Sequence, residues 1–142
     1  MATASQLLKH KGRLIYSVAP DAPVLDAVKE MAEHSVGALL VMKNDKLLGV
    51  VSERDYARKV ILKGRSSSET PVSQIMSFPV LTVRADQSVN ECMRMMTENR
   101  VRHLPVVEDD RVIGVLSIGD LVRAVLEEQQ QTIAQLEHYI HS

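Results

Sequence analysis

The sequence has little aromatic character and almost no cysteine. Its 142 residues include no Trp, one Phe and three Tyr, so the core must consist of aliphatic residues and methionine, and aromatic platforms for single-stranded nucleic acid are nearly absent. A single Cys excludes an intramolecular disulfide framework and suits a reducing compartment. The formal net charge is −1, from 17 Lys and Arg against 18 Asp and Glu, so the basic excess typical of nucleic-acid-binding proteins is missing.

Signals of membrane insertion, export and catalysis are missing as well. No apolar run approaches the roughly 18 residues of a membrane span, and residues 1–12 lack the apolar core of a signal peptide, so we expect a cytoplasmic protein with no membrane partner. No nucleophile motif, phosphate-binding glycine motif or CxxC pair occurs, and the five His form no HxxxH or HExxH pair. His138 and His141 are three residues apart on the tail helix, where solvated side chains are the expected role. The sequence predicts no enzyme, no catalytic cofactor and no metal site, and nucleic acid is not an expected partner.

The sequence contains an internal repeat. When residues 15–55 are aligned with residues 80–120 at a constant offset of 65, thirteen of the 41 positions are identical. The identical pairs include Gly49/Gly114, Ser52/Ser117 and Asp55/Asp120. Repetition of this kind predicts one supersecondary unit that is used twice.

Each copy predicts the element order β-α-β-β-α. A short β-branched run indicates the first strand, and Asp21 and Asp86 are candidate N-caps of the helices that follow. Cys92 lies on the apolar face of the second copy's first helix, where a small buried hydrophobe is the expected role. The acidic turns KNDK and EDDR then join two buried strands, and another helix begins after Ser52 or Ser117. Because neither copy is expected to bury its sheet alone, we expect one shared core.

The predicted fold class is α/β (α+β), with two repeats in one module and a helix at the C-terminus. Residues 1–13 are an N-terminal segment, residues 14–63 the first repeat, residues 64–79 a linker rich in Ser and Pro with a short helix, residues 80–126 the second repeat, and residues 127–142 a helical tail.

A Ser-x-x-Asp motif ends the last strand of both copies, as S-E-R-D at 52–55 and S-I-G-D at 117–120. One interpretation is structural, because this motif at a helix start is a capping box. The other is functional, because a carboxylate there can accept two hydrogen bonds from a ribose diol, while the Ser hydroxyl and unpaired backbone N–H groups face a phosphate. The two interpretations are compatible, and the repetition at equivalent places favours ligand binding.

The repeated pattern resembles a pair of cystathionine-β-synthase (CBS) domains, also called a Bateman module. The resemblance covers residues 14–125 and rests on the repeated element order, on G-V-V-S-E-R-D with G-V-L-S-I-G-D, and on R-H-L-P-V-V with its counterpart G-A-L-L-V-M. It implies two repeats packed about a pseudo-two-fold axis, with two clefts that bind AMP, ADP, ATP, NAD or S-adenosylmethionine. The sequence does not choose among these ligands.

The resemblance also implies which residues bind the nucleotide. The acid of the motif holds the ribose in that family, which points to Asp55 and Asp120, with Ser52 and Ser117 near the phosphates. The first-strand hydroxyl and the start of the second strand line the adenine and phosphate region, and these positions are Ser17 and Thr82, Gly37 and Ala38, and Arg102 and His103.

The two copies differ where charge matters. Arg102 and His103 stand where the first copy has Gly37 and Ala38, and Arg54 and its counterpart Gly119 complete the candidate nucleotide-binding residues. We expect Arg54, Arg102 and His103 to contact phosphates. Five cations between positions 54 and 65 form either a solvated helix face or an auxiliary phosphate rim.

Three functions are compatible with these residues. The first is a stand-alone sensor that binds an adenosine nucleotide and regulates an unidentified protein in trans. The second is an interaction or scaffold protein with vestigial clefts, and the third is an enzyme at the adenylate site, for which no general base is evident.

The tail predicts self-association. Apolar residues and one Gln step by four and three along it, which is a heptad seam: Val122, Leu126, Gln129, Ile133, Leu136 and Ile140. We expect a homodimer in which the tail helices take part, and the alternative is a tail that folds back on its own module. The resemblance also implies a dimer, since CBS modules commonly pair.

Overall fold

The computed structural model describes residues 2–141. In chain order its elements are α1 Ala4–Lys11, β1 Ser17–Val18, α2 Val24–His34, β2 Ala38–Lys43, β3 Lys46–Ser52, α3 Glu53–Tyr56 with a π-helical continuation Ala57–Ile61, a 3-10 turn Val72–Gln74, β4 Val83–Arg84, α4 Val89–Asn99, β5 His103–Glu108, β6 Arg111–Ser117 and α5 Ile118–His141.

The chain divides into two compact units that share one architecture. The first unit spans residues 15–80, and the second combines the residues up to 14 with those from 81 onward. Each unit contains a three-stranded sheet, ordered β1-β2-β3 or β4-β5-β6, in which the first pair is parallel and the second pair antiparallel. The predicted α/β class, the repeated β-α-β-β-α order and the C-terminal helix are therefore confirmed.

The acidic turns fix the register of both hairpins. Asn44 and Asp45 have φ of 51° and 62°, and Asp109 and Asp110 have φ of 52° and 61°. Two consecutive residues with positive φ suit the right-handed twist of the strands, and Asn and Asp tolerate this region better than most residues. Both ladders are irregular at the equivalent place, next to Val41 and Val106.

Each unit buries its own set of apolar side chains. The set in the first unit comes from α2, β2, β3, the π-helix and the segment around Ile75, whereas the set in the second comes from α1, α4, α5 and the strands β4 to β6. The expectation that neither copy buries its sheet alone is therefore wrong. The reason is that each sheet is covered by its own helices and by one extra segment that the repeat pattern does not contain.

That extra segment differs between the units. In the first unit it comes from the presumed linker, because Val72 and Ile75 are buried and Ser77 forms a bridge to Val50 of β3. In the second unit it is α1, whose Ala4 and Leu8 are fully buried. The N-terminal residues therefore pack as part of the second unit.

A repeated glycine makes room for both segments. A Cβ on Gly49 would lie 2.6 Å from Sδ of Met76, and a Cβ on Gly114 would lie 2.6 Å from Cδ2 of Leu8. Real Cβ atoms do not approach this closely, so Gly at this position lets a covering segment pack directly on β3 or β6.

The helix caps differ from the sequence-based expectation. Asp21 and Asp86 are not N-caps, because α2 begins after Pro23 and α4 begins after Ser88, whose hydroxyl accepts from the Glu91 amide. In both copies two residues separate this Asp from the first residue of the helix, because the chain turns before the first helical turn forms.

α5 runs without a break from the second Ser-x-x-Asp motif to His141, and every residue from Leu126 to His141 is exposed. The alternative in which the tail folds back on its own module is therefore wrong for the described residues. Within residues 2–141 we find no helix that is both long enough and apolar enough to span a membrane.

The packing of α1 generates the first prediction. Leu8→Ala removes a fully buried side chain that contacts β6, so we expect the free energy of unfolding to fall by about 2–5 kcal/mol. Urea unfolding followed by circular dichroism measures the change. Leu14→Ala is the matched control, because Leu14 is 70% exposed. Equal effects of the two substitutions would contradict the placement of α1 in the core.

Candidate functional site

The first site comprises the candidate residues of the first repeat, Ser17, Gly37, Ala38, Ser52, Arg54 and Asp55. β2 and β3 position its centre, because Ala38 is the register partner of Ser52 and the Glu53 amide donates to the Gly37 carbonyl at 3.0 Å. Asp55 then closes a capping box: its Oδ2 accepts from the Ser52 amide and hydroxyl, both at 3.0 Å, and the Asp55 amide donates to Ser52 Oγ at 3.1 Å.

The second site comprises Thr82, Arg102, His103, Ser117, Gly119 and Asp120, and its backbone geometry is the same. His103 is the register partner of Ser117, and the Ile118 amide donates to the Arg102 carbonyl at 2.9 Å. The Ser117 amide donates to Asp120 Oδ2 at 2.8 Å, and the Asp120 amide donates to Ser117 Oγ at 3.2 Å. The structural interpretation of the motif is therefore correct in both copies.

The remaining candidates border these centres. Ser17 is exposed on β1 opposite Leu40, and Thr82 is half-buried directly before β4. Arg54 and Arg102 are exposed, as is Gly119 on the first turn of α5.

A lysine ammonium contacts each motif carboxylate, and neither contact was predicted. Lys59 Nζ lies 3.1 Å from Asp55 Oδ1 and donates to the Ile75 carbonyl at 2.9 Å. Lys11 Nζ lies 2.6 Å from Asp120 Oδ2 and donates to the Val115 carbonyl at 2.7 Å. The i,i+4 spacing of Asp55 and Lys59 is a signal that could have revealed the first pair. Nothing in the sequence signals the second pair.

Charge and burial around the second site shift two pKa values. Burial opposes ionisation of Asp120, but hydrogen bonds from Lys11 and from Ser117 outweigh burial and lower the pKa of the Asp120 carboxyl. For the His103 imidazole, burial lowers the pKa because it disfavours the charged form. Lys11 and Arg102 lower this pKa further, whereas Asp120 raises it. His103 is therefore neutral at pH 7, where it can donate from one ring nitrogen and accept at the other.

Other reactive groups lie outside the two sites. Cys92 is fully buried, as expected, and burial raises the pKa of its thiol, so it is a packing residue.

Of the five cations between positions 54 and 65, Lys59 pairs with Asp55 and Arg65 donates to Gln74. The side chains of Glu30, Glu33 and His34 place three potential metal ligands within 4.8 Å of one another on α2, where the His34 ring stacks on Tyr16.

Comparison with known proteins identifies similar chains. The family model described as "CBS domain" matches residues 13–62 and 72–127. A curated relative, the CBS domain-containing protein CBSX3, mitochondrial, of Arabidopsis thaliana, is 43% identical over 147 residues that cover 97% of this chain and 71% of the relative.

Solved structures show the same fold. A protein with CBS domains from Burkholderia ambifaria is 50% identical, with a TM-score of 0.86 over 90% of this chain and 96% of that chain. The CBS domain pair of protein MJ0100, solved in complex with 5′-methylthioadenosine and S-adenosyl-L-methionine, is 21% identical, with a TM-score of 0.80 over 90% of this chain and 98% of that chain. At that identity, the second likeness concerns the fold alone.

The Lys11–Asp120 pair generates a prediction about pH. A carboxyl whose pKa is depressed on folding stabilises the folded state above the unfolded pKa, about 3.9 for Asp, and this contribution is lost as pH falls through the folded pKa. Lys11→Met removes a hydrogen-bond donor that counteracts the effect of burial, so we expect the pKa of Asp120 to rise toward its unfolded value. The loss of stability on acidification is then expected to be smaller and to be complete at higher pH.

Carbon-13 NMR titration of the Asp120 carboxyl measures the midpoint directly, and unfolding at a series of pH values measures the consequence. Lys9→Met is the matched control, since Lys9 is an exposed lysine of the same helix. An Asp120 midpoint that stays the same in Lys11→Met would contradict the assignment.

Proposed function

Because the chain belongs to the CBS domain family, we propose that it is a regulatory module that binds adenosine-derived ligands at the first and second sites and signals to a protein partner in trans. One observation supports this most. Two carboxylates at equivalent strand–helix junctions, Asp55 and Asp120, have the same capping geometry and are 14% and 12% exposed. A helix cap alone does not require an acid, since a Ser cap can satisfy the first amides without one.

The arrangement suits a ribose. In each site one carboxylate oxygen already accepts from the Ser amide, which fixes the orientation of the carboxyl group. A diol that reaches this carboxylate donates two hydrogen bonds to a charged acceptor, and such bonds are stronger than neutral ones. The Ser hydroxyls and the first amides of α3 and α5 lie at the same junction, where the positive end of the helix dipole favours a phosphate.

The ligand class is an adenosine derivative: AMP, ADP, ATP, NAD or S-adenosylmethionine. Protein MJ0100, which has this fold, binds 5′-methylthioadenosine and S-adenosyl-L-methionine. For this chain we propose phosphate contacts from Arg54, Arg102 and His103. Arg can grip a phosphate through two parallel hydrogen bonds, and a neutral His can donate one.

We propose regulation and not catalysis, because the Ser hydroxyls of both sites bond within their own motifs, and in the described residues no hydrogen bond joins either of them to a histidine base. The plant relative CBSX3 and the Burkholderia ambifaria protein are named for CBS domains and not for a reaction. The cytoplasmic location stays a prediction, and the plant relative carries "mitochondrial" in its name.

A second observation favours a role in protein interaction. The seam on α5 is exposed: Val122 is 41% accessible, and Leu126, Ile133, Leu136 and Ile140 are each more than half accessible. An apolar stripe of this length is typical of an interface. We propose that it pairs with the same stripe of a second copy, so that the module is a homodimer and Gln129 helps to set the register.

Titration calorimetry with AMP, ADP, ATP, NAD and S-adenosylmethionine tests the ligand proposal. Asp55→Ala and Asp120→Ala each remove the acceptor of one site, so each is expected to lose one binding event or weaken it by about tenfold to a hundredfold. The fold is expected to persist in both variants.

Glu33→Ala and Glu98→Ala are matched controls, because these two acids are also repeated at equivalent positions and are exposed outside the motif. If both Asp variants bind with the wild-type affinity and stoichiometry, the motif is a helix cap only. Adenosine that binds as tightly as its phosphates would contradict the phosphate contacts.

Light scattering tests the homodimer. Leu136→Asp places a charge in the proposed seam and is expected to raise the dissociation constant of the dimer at least about tenfold, whereas Gln135→Asp lies off the seam and is expected to leave it unchanged. Truncation after Leu126 removes most of the seam and is expected to act in the same direction as Leu136→Asp.

A monomeric full-length protein, or a larger closed assembly such as a hexamer, would contradict the homodimer. A truncated protein with an unchanged dimer dissociation constant would place the interface away from α5.

A further inference from the structure

We propose that Lys11 of α1 makes the second site selective for adenosine ligands that carry a phosphate. This inference rests on the proposed function, because it assumes that Asp120 receives a ribose. The Lys11 ammonium donates to Oδ2 of Asp120 at 2.6 Å and to the Val115 carbonyl at 2.7 Å.

The position of Lys11 does not depend on its ion pair. α1 is anchored by the buried Ala4 and Leu8, and its first amides donate to the carbonyls of Ala85 and Gln87 at 2.9 and 2.8 Å. α1 ends directly after Lys11, at Gly12, which has a φ of 99° that favours glycine. The backbone of α1 therefore holds the base of the Lys11 side chain next to the second site, whatever the ammonium contacts.

The two units obtain the same contact from unrelated positions. The repeat counterpart of Lys59 is Ala124, so the second repeat has no lysine of its own at this place. Lys11 contacts the carboxylate of Asp120 as Lys59 contacts the carboxylate of Asp55, although Lys11 lies 109 residues from Asp120 in sequence. Both ammonium groups also donate to a backbone carbonyl of the same unit, Val115 or Ile75.

A ribose and Lys11 compete for the same acceptor. Asp120 Oδ2 already receives two donors, the Ser117 amide and Lys11, and Oδ1 faces Arg123 Nη1 at 3.8 Å. When a diol donates to this carboxylate, the Lys11 ammonium loses its counter-ion although its side chain is only 39% exposed. A partly buried charge without a partner is unfavourable.

A phosphate on the same ligand removes this cost. It supplies an anion that accepts charge-assisted hydrogen bonds from the displaced ammonium, whereas a neutral nucleoside leaves the ammonium unpaired. The neighbouring side chains act in the same direction, because Arg102 and His103 stand where the first repeat has Gly37 and Ala38. The first site instead carries Glu53, whose Oε1 lies 3.5 Å from the Cβ position of Gly37, and its counterpart in the second repeat is Ile118.

Titration calorimetry in an Asp55→Ala background isolates the second site. The probes are AMP and ADP as phosphate ligands, and adenosine and 5′-methylthioadenosine as neutral ligands. We expect this parent protein to bind AMP at least about tenfold more tightly than adenosine. In Lys11→Met the ratio of the two dissociation constants is expected to fall about tenfold or more, because AMP binding weakens while adenosine binding holds or strengthens.

Two further variants keep the test specific. Lys9→Met is the control on the same helix and is expected to keep the parental ratio of dissociation constants. Lys11→Arg retains the positive charge and is expected to keep most of the AMP preference. If Lys11→Met does not fold, Lys11→Gln, which also removes the positive charge, replaces it in the same comparison.

A parent that binds adenosine and AMP equally, or a Lys11→Met protein that keeps the parental ratio, overturns this inference while the proposed function stands. A wild-type protein that binds none of the adenosine ligands overturns the proposed function and this inference together.

Discussion

The reciprocal hydrogen bonding between Ser and Asp at each strand–helix junction is the contact on which both candidate sites depend. It fixes an acid at the point where the last strand becomes a helix, because the Ser amide holds one carboxylate oxygen and the Ser hydroxyl holds the Asp amide. The start of the neighbouring strand is tied to the same junction through the Gly37 or Arg102 carbonyl. One capping motif thus fixes the position and orientation of a carboxylate without any ligand.

The two copies share the same sheet order and repeat helices, but a different segment of the chain covers each sheet. Gly49 and Gly114 occupy the same position, but Met76 packs on the first and Leu8 on the second. Each covering segment also contributes to the contact between a lysine and the motif acid. In the first unit the Ile75 carbonyl accepts from Lys59, and in the second unit Lys11 is itself a residue of α1. The segments outside the repeat therefore make two similar units chemically different.

Much of the fold was predictable because its signals are local or repeated. The offset of 65 predicted the shared architecture, the acidic turns predicted the hairpins, and the apolar period placed Cys92 in a core. The candidate N-caps Asp21 and Asp86 were wrong because a polar residue near a helix start does not by itself determine which residue begins the helix.

The contact of Lys11 with Asp120 could not be predicted. It depends on how Ala4 and Leu8 dock α1 on the second sheet, and two short apolar side chains in an N-terminal helix do not specify a partner 100 or more residues away. The burial of the first sheet within its own unit was also unexpected, since the covering role of residues 70–77 has no counterpart in the repeat.

The central claim is that the repeated acids hold the ribose of an adenosine ligand, and a crystal structure of the protein grown with ADP tests it most directly. We predict electron density for a nucleoside at the Ser-x-x-Asp motifs, with ribose hydroxyls about 2.5–3.0 Å from the carboxylate oxygens of Asp55 or Asp120. ADP bound elsewhere, with both carboxylates still held only by their Ser and Lys partners, would contradict the claim.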